Sequence, residues 1–281
     1  MRMRYTERKQ YVLPLHKGIF AEVLMNDKQK LEQDLRALGI KEGDTLMMHC
    51  SYKSLGTKLT AAEIFEVFEQ VLGEEGTLLL PALSYETVGP AQPKFDREKT
   101  PSCVGFLPEY FRTRVPGVVR SLHPTHSVCA KGRLAEELIK DHELDLTPVG
   151  PHSPIAKLPK VGGKVLMLGC DPDHNTALHG MEEAADVPYV FDRSKRTVYT
   201  LCDGDRILTQ EALTHDFVKA DHWLAQRYSR VIGLMRHGTV TRGKLLQADC
   251  VLMDAKAMWG SGVKKMKEDP YYFVERIDEI L

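Results

Sequence analysis

The chain reads as an α/β protein, on three features of its sequence. Short apolar runs such as Thr77-Leu78-Leu79-Leu80 and Val165-Leu166-Met167-Leu168-Gly169 have the length and content of buried strands. Between them lie stretches whose apolar residues recur every three or four positions, the period of a helix. The first third therefore runs helix, strand, helix, strand, the rhythm of helices layered on a sheet. With 43% hydrophobic and 27% charged residues in 281 positions, the composition is that of an ordinary globular protein. One domain over 1–281, with loop insertions, is the simplest organisation.

Taken in order, residues 26–39 form an amphipathic helix, capped by Asn26, striped by Leu31, Leu35 and Leu38, and ended by Gly39. A turn at Gly43-Asp44 leads into a strand at 45–49 and a loop over 50–59. Thr60 begins the next helix, because Glu63 three residues on completes a capping box, and Ile64, Val67, Phe68, Val71 and Leu72 give its apolar face. Gly73 and Gly76 close it before the strand at 77–80. Residues 84–104 read as a long irregular loop. Helices are expected near 105–114 and 133–142, then a strand at 165–169 and a helix from about Thr176. A hairpin over 196–209 turns at Asp203-Gly204, followed by a helix near 216–228. Two strands over 231–254, with turns near His237-Gly238 and Arg242-Gly243, precede a last helix from Ala255 and an end bounded by Pro270.

Net charge is −1 with 38 basic and 39 acidic residues, which favours neither nucleic acid nor an anionic membrane as partner. No apolar run approaches the roughly 18 residues of a membrane span. The N-terminal MRMRYTERKQYVLPLHKGIF is basic but lacks the apolar core of a signal peptide, so a cytoplasmic protein is expected. The six cysteines, Cys50, Cys103, Cys129, Cys170, Cys202 and Cys250, are dispersed without a C-x-x-C and read as reduced thiols. Cys170, His174 and His179 match no zinc spacing, so no metal site is expected.

Three segments carry candidate chemistry. The strand 165–169 opens into a stretch to Asp192 with six acids (Asp171, Asp173, Glu182, Glu183, Asp186, Asp192), two histidines and no Lys or Arg. A strand end of this kind suits a pocket that holds a cation and moves a proton; the alternative is a solvated acidic loop. Within it, His179 and Glu182 fall one helical turn apart, where a carboxylate orients an imidazole as a base; a surface His–Glu pair is the plain alternative. The loop Ser51-Tyr52-Lys53-Ser54-Leu55-Gly56 leaves a strand for a helix N-terminus, which favours an anion, although its glycine spacing fits no nucleotide fingerprint. Arg120-Ser121-Leu122-His123-Pro124-Thr125-His126-Ser127 sets two histidines beside Arg and serines, either a site or a turn around Pro124.

Taken together and in order, these segments resemble the aminoglycoside 3-N-acetyltransferase family, the antibiotic acetyltransferases outside the GNAT fold. The resemblance is carried by His49-Cys50-Ser51-Tyr52-Lys53-Ser54-Leu55-Gly56, by 73–81 (GEEGTLLLP), by Phe95-Asp96, by Thr100-Pro101-Ser102 with Val104-Gly105, by 116–124 (PGVVRSLHP), by His152-Ser153-Pro154, by 165–182 and by 248–255 (ADCVLMDA). It spans about residues 25–275.

The resemblance implies a three-layer α/β/α antibiotic N-acetyltransferase-like fold and acetyl-CoA as cofactor. CoA would lie along Ser51, Tyr52, Lys53, Ser54, Leu55 and Gly56, with His123 and Ser127 also expected at the cofactor. The family's catalytic histidine falls on His179 and its glutamate on Glu182. The acceptor implied is the 3-amino group of a 2-deoxystreptamine aminoglycoside, a polycation for which Glu86, Asp96, Asp171, Glu183 and Asp216 are the candidate carboxylates. Transfer would be direct within a ternary complex, His179 acting as general base. The chain departs from the family at Cys50, where a serine is usual, at Thr57-Lys58-Leu59-Thr60, where a Trp and paired glycines are usual, and at Gly180-Met181. An acetyltransferase acting on another amine, a Cys50 acetyl-enzyme, a metal-dependent hydrolase using Cys170, His174 and His179, and a CoA-binding protein without catalysis are the competing readings. The oligomeric state is open, a homodimer being one option.

Overall fold

The computed structural model describes residues 17–278, with side chains from residue 27 onward. The basic stretch 1–16, read above for a signal peptide, lies outside the described residues. The elements in chain order are α1 (Lys17–Leu38), β1 (Thr45–Cys50), α2 (Ala61–Leu72), β2 (Thr77–Pro81), β3 (Lys94–Asp96), α3 (Phe106–Arg114), β4 (Val119–Arg120), β5 (Val128–Gly132), α4 (Ala135–Ile139), α5 (Pro154–Lys157), β6 (Lys164–Leu168), α6 (Ala177–Ala185), β7 (Thr197–Asp203), β8 (Arg206–Ala212), β9 (Trp223–Gln226), β10 (Val240–Leu245), β11 (Ala248–Asp254), α7 (Ala255–Glu268) and β12 (Val274–Ile277).

A seven-stranded sheet in the order β10-β11-β6-β1-β2-β5-β4 forms the middle layer. β1 runs parallel to both β2 and β6, and the flanking strands are antiparallel. Strand residues alternate between two apolar cores, as the period of two requires. Leu46, Met48, Leu78, Leu80, Leu166 and Leu168 pack against α1, α2 and α3. Met47, Leu79, Val165, Met167, Val251 and Met253 pack against α4, α5, α6 and α7. The result is the expected three-layer α/β/α arrangement. The capping box of α2 is present, with Glu63 N–H donating to the Thr60 hydroxyl and Thr60 N–H to the Glu63 carboxylate, an arrangement worth about 1 kcal/mol.

Long-range pairing overrides local signals in several places. α1 begins by Lys17, so Asn26 falls inside the helix and does not cap it. The irregular 84–104 segment contributes β3, which pairs in parallel with β7 beside β8. Helix 133–142 is shorter, α4 giving way to a single 3₁₀ turn at His142–Leu144. The hairpin turns at Gly204-Asp205, one place later than expected, because Asp203 pairs with Arg206. The expected helix at 216–228 is absent: Val218 bridges to Trp223, β9 pairs with β12, and a 3₁₀ segment Tyr228–Leu234 follows. That segment also replaces the start of the two strands expected from 231. Gly243 lies within β10 opposite Cys250, and the turn falls at Leu246-Gln247. Among the described residues, no helix is long and apolar enough to cross a membrane.

Candidate active site

β1 and β6 are parallel neighbours, but the chain leaves them in opposite directions. After β1 it enters α2 on one face of the sheet, and after β6 it enters α6 on the other. A crevice opens beyond the carboxyl ends of two such strands, the usual place for a ligand in an α/β sheet. Here it widens into a cleft of about 910 Å³, lined by His49, Cys50, Cys170, Asp173, Thr176 and His179 from these two exits, and by Tyr85, His126, His215, Phe217 and Tyr228 from farther elements. His49 joins the two exits, its Nε2 accepting from both the amide and the hydroxyl of Thr176, each at 3.1 Å. That ring must be neutral to accept twice, and burial pushes its pKa down to about 3.

The helical spacing places His179 and Glu182 on one face of α6, as expected from sequence. The Glu182 side chain is fully buried and the His179 side chain is 15% exposed. Glu182 Oε2 lies 3.1 Å from His179 Nδ1. The Tyr189 hydroxyl donates to Glu182 Oε1 at 2.8 Å, and the Tyr228 hydroxyl donates to Oε2 at 2.8 Å. Tyr228 Oη also lies 2.9 Å from His179 Nδ1, so the Nδ1 proton is shared between Tyr228 and Glu182. Three partners satisfy a buried carboxylate that would otherwise be costly. They also hold the imidazole in one tautomer and leave Nε2 uncommitted. The phenol of Tyr228 is pushed well up by burial and by the Glu182 charge, which keeps it a donor.

Two further imidazoles meet His179. The ring centroids lie 4.4 Å apart for His179 and His215, 4.8 Å for His126 and His215, and 5.8 Å for His126 and His179. His215 Nε2 lies 2.9 Å from Glu183 Oε1, and His126 Nδ1 lies 2.9 Å from the Thr125 hydroxyl. Burial pushes both rings well below the ordinary histidine range, and the neighbouring imidazoles push them further. Burial also raises the Glu183 carboxyl to about 8.

The structure distributes the other expected site residues unevenly. The Ser51–Gly56 turn borders the cleft through Cys50, but much of its polar capacity is committed. Ser51 N–H donates to Leu168 O, the Ser54 hydroxyl donates to Ser51 O, and the Tyr52 hydroxyl donates to Leu59 O. Leu55 is buried in the core, while Lys53 and Gly56 are exposed. Gly56 has φ +59, the left-handed region that favours glycine, so its backbone alone already accounts for the residue. His123 and Ser127 are fully buried behind the cleft. His123 Nδ1 accepts the His126 amide at 3.0 Å, and Ser127 Oγ donates to Ala82 O and accepts from Arg120 Nε.

Of the five candidate substrate carboxylates, Asp216 lines the cleft, with Lys219 Nζ at 2.9 Å. Glu183 is buried against Val149 N and His215. The Asp96 carboxylate accepts the amides of Glu98 and Lys99. Asp171 caps its own turn by accepting from Asp173 N–H, and Glu86 is exposed on the loop; neither lines the cleft. Sequence reasoning passed over Asp173, although it lay in the acid-rich segment. It also passed over His215, Tyr189 and Tyr228, which no local pattern marks and which reach α6 only through the fold.

Cys50 lines the cleft, but burial, helped by the neighbouring Cys170 thiol, pushes its pKa far up. The residue is held as a thiol, a weak nucleophile.

Comparison with known proteins places the chain in a family. The family model for aminoglycoside 3-N-acetyltransferases matches residues 47–267. Aminoglycoside N(3)-acetyltransferase VII of Streptomyces paromomycinus is 32% identical, over 86% of this chain and 91% of its own length. Aminoglycoside N(3)-acetyltransferase IV of a Salmonella species is 32% identical, over 75% and 79%. Among solved structures, AAC-IIIb in a binary complex with CoASH superposes with a TM-score of 0.72 at 30% identity, covering 86% of this chain and 96% of that one. A mutant of aminoglycoside acetyltransferase AAC(3)-IVa in complex with gentamicin superposes with a TM-score of 0.72 at 27% identity, covering 88% and 90%. The matched span runs from β1 into α7, and this chain is a member of the aminoglycoside 3-N-acetyltransferase family.

Proposed function

We propose that the protein transfers an acetyl group from acetyl-CoA to the 3-amino group of a 2-deoxystreptamine aminoglycoside, directly and within a ternary complex. The observation that carries the reading is the fully buried Glu182, which accepts from Tyr189 and Tyr228 and holds Nδ1 of His179, leaving Nε2 as the free nitrogen of a residue that lines the cleft. Nε2 takes a proton as the amine nitrogen bonds to the thioester carbonyl carbon, and Glu182 stabilises the imidazolium so formed. The C–S bond then breaks, and CoA leaves as its thiol after taking a proton. Base catalysis of this kind supplies about 10²–10⁴ in rate, and alignment of two bound reactants supplies as much or more.

Several features support the reading. A cleft of about 910 Å³ lies at the upper end of the usual range of ligand pockets, roomy enough for an acyl carrier arm and an amino sugar together. The high pKa of Cys50 weighs against an acetyl-enzyme. For CoA, the Ser51–Gly56 turn offers the exposed Lys53, whereas the committed Ser51 amide and the buried His123 and Ser127 are poor candidates for contact. For a polycationic acceptor, the carboxylates in the cleft are Asp173 and Asp216. Replacing both with Asn should raise the amine KM about ten-fold or more while sparing CoA affinity.

Thiol release from acetyl-CoA, measured against a panel of amines with aminoglycosides included, tests the assignment. Intersecting double-reciprocal lines and an acetylated 3-amino group are expected. Turnover confined to neutral or monoamine acceptors would remove the aminoglycoside and leave the acetyltransferase. Parallel lines together with an acetyl adduct on Cys50 would remove direct transfer.

A further inference from the structure

The rings of His126, His179 and His215 meet at the cleft, a cluster that base catalysis by His179 does not by itself require. One ring nitrogen from each residue lies within 4.8 Å of the other two. The hydrogen bonds identify which nitrogen each ring has free. His126 Nδ1 is held by the Thr125 hydroxyl, His179 Nδ1 by Glu182 and Tyr228, and His215 Nε2 by Glu183. Each ring therefore has one nitrogen tied to an oxygen partner and the other open. That is the pattern of metal-ligating histidines, whose second nitrogen almost always donates to a carboxylate, carbonyl or water.

We propose that His126 Nε2, His179 Nε2 and His215 Nδ1 form a binding site for a divalent zinc-class cation, and that its occupancy blocks acetyl transfer by capturing the nitrogen that serves as base. Three imidazoles with a fourth position open to the cleft match the ligand set of an accessible zinc site. Bonds of about 2.0–2.1 Å in a tetrahedral arrangement bring the nitrogens to about 3.4 Å from one another, so ring nitrogens already within 4.8 Å need close by about 1.4 Å at most. The outer partners suit a cation. Glu182 is a fully buried carboxylate behind one ligand, and the Glu183 carboxyl accepts from another. The chain reaches this site from three separate places: the turn before β5, α6, and the segment after β8. No sequence spacing announces it.

Binding does not depend on the proposed activity; the inhibitory consequence does, because it rests on His179 as base. The test begins with chelator-treated protein titrated with CoCl₂, followed by its visible ligand-field absorption, and then with ZnCl₂ by calorimetry and by displacement of cobalt. One ion per chain with a tetrahedral cobalt spectrum is expected. His126→Ala and His215→Ala, each checked for folding by circular dichroism, should weaken affinity at least about 100-fold. Glu183→Gln, which keeps side-chain volume and ligand set, should weaken it about 10- to 100-fold through loss of ring positioning. No cobalt spectrum, or affinities unchanged in folded variants, would overturn the site. In the acetyl-transfer assay, zinc should inhibit the wild type with the same affinity that calorimetry measures. Saturating zinc that binds through the three histidines yet leaves turnover intact would overturn the inhibitory role and His179 as base together. Three-histidine binding in a protein that acetylates no amine would leave the site standing and remove the proposed reaction.

Discussion

Replacing Glu182 with Gln tests the catalytic duty proposed for this carboxylate apart from its structural one. The side chain is fully buried and makes three contacts: the Tyr189 hydroxyl at 2.8 Å, the Tyr228 hydroxyl at 2.8 Å and His179 Nδ1 at 3.1 Å. A carboxamide of the same shape keeps an acceptor oxygen, and its NH₂ group can donate to a phenol whose hydroxyl rotates to accept. The number of hydrogen bonds is nearly preserved, and a buried anion is removed. Stability should therefore change by no more than about 1.5 kcal/mol. Catalysis should suffer far more. With the charge centres about 4 Å apart, a carboxylate stabilises an imidazolium by about 4 kcal/mol at an effective dielectric constant of about 20. The amide dipole recovers part of this, so a net loss of about 3–4 kcal/mol lowers kcat about 10²–10³-fold. The assay is thiol release at saturating acetyl-CoA and amine, paired with denaturant unfolding of the same preparation. Full turnover in the folded Glu182→Gln protein would refute the role of the carboxylate. A loss of stability large enough to account for the lost activity would make Glu182 a structural residue only.

Other expectations follow from the same geometry. His179→Ala should lower kcat about 10²–10⁴-fold while acetyl-CoA still binds, as calorimetry with CoA can check. Cys50→Ser should keep most of the activity, because burial holds the thiol protonated; loss of turnover with unchanged CoA binding would count against direct transfer. Gly180→Ala should destabilise by about 1–3 kcal/mol in denaturant unfolding, since a Cβ there would meet Trp259 of α7 at 2.5 Å and Val149 at 2.7 Å. Acid should unfold the protein early. Burial holds His49 and His142 neutral in the folded chain down to about pH 3, whereas the unfolded chain takes up those protons near pH 6.5. The unfolded state binds more protons in between, so stability falls as pH drops from about 6.5 towards 3, by about 2 kcal/mol per histidine at pH 5. Unfolding followed by circular dichroism from pH 7 to pH 4 checks this, and a flat profile would show that the rings accept protons while folded.

What the sequence determined by itself is what neighbouring residues decide among themselves. The apolar runs at 45–49, 77–80 and 165–169 are strands because their lengths and flanking glycines admit little else, and they make the core of the sheet. Thr60 and Glu63 cap α2 through atoms three residues apart. His179 and Glu182 meet because a helix brings every third residue round to one face. The ordered set of segments also carried the family. What only the tertiary structure decided depends on contacts between distant residues. The same stretch, 216–228, satisfies a helical pattern locally but becomes β9 because β12 lies beside it. Asp96, Asp171 and Glu183 look alike in the sequence, yet they lie outside the cleft, whereas Asp216, beside Lys219, and the unmarked Asp173, which accepts the Ser229 amide, line it. Tyr189 and Tyr228 complete the partners of Glu182 from 7 and 46 residues away, and His126 and His215 arrive from opposite sides of α6 in the chain. A backbone period can place two side chains one turn apart, but only the packing of whole elements can bring three imidazoles from separate segments to one point.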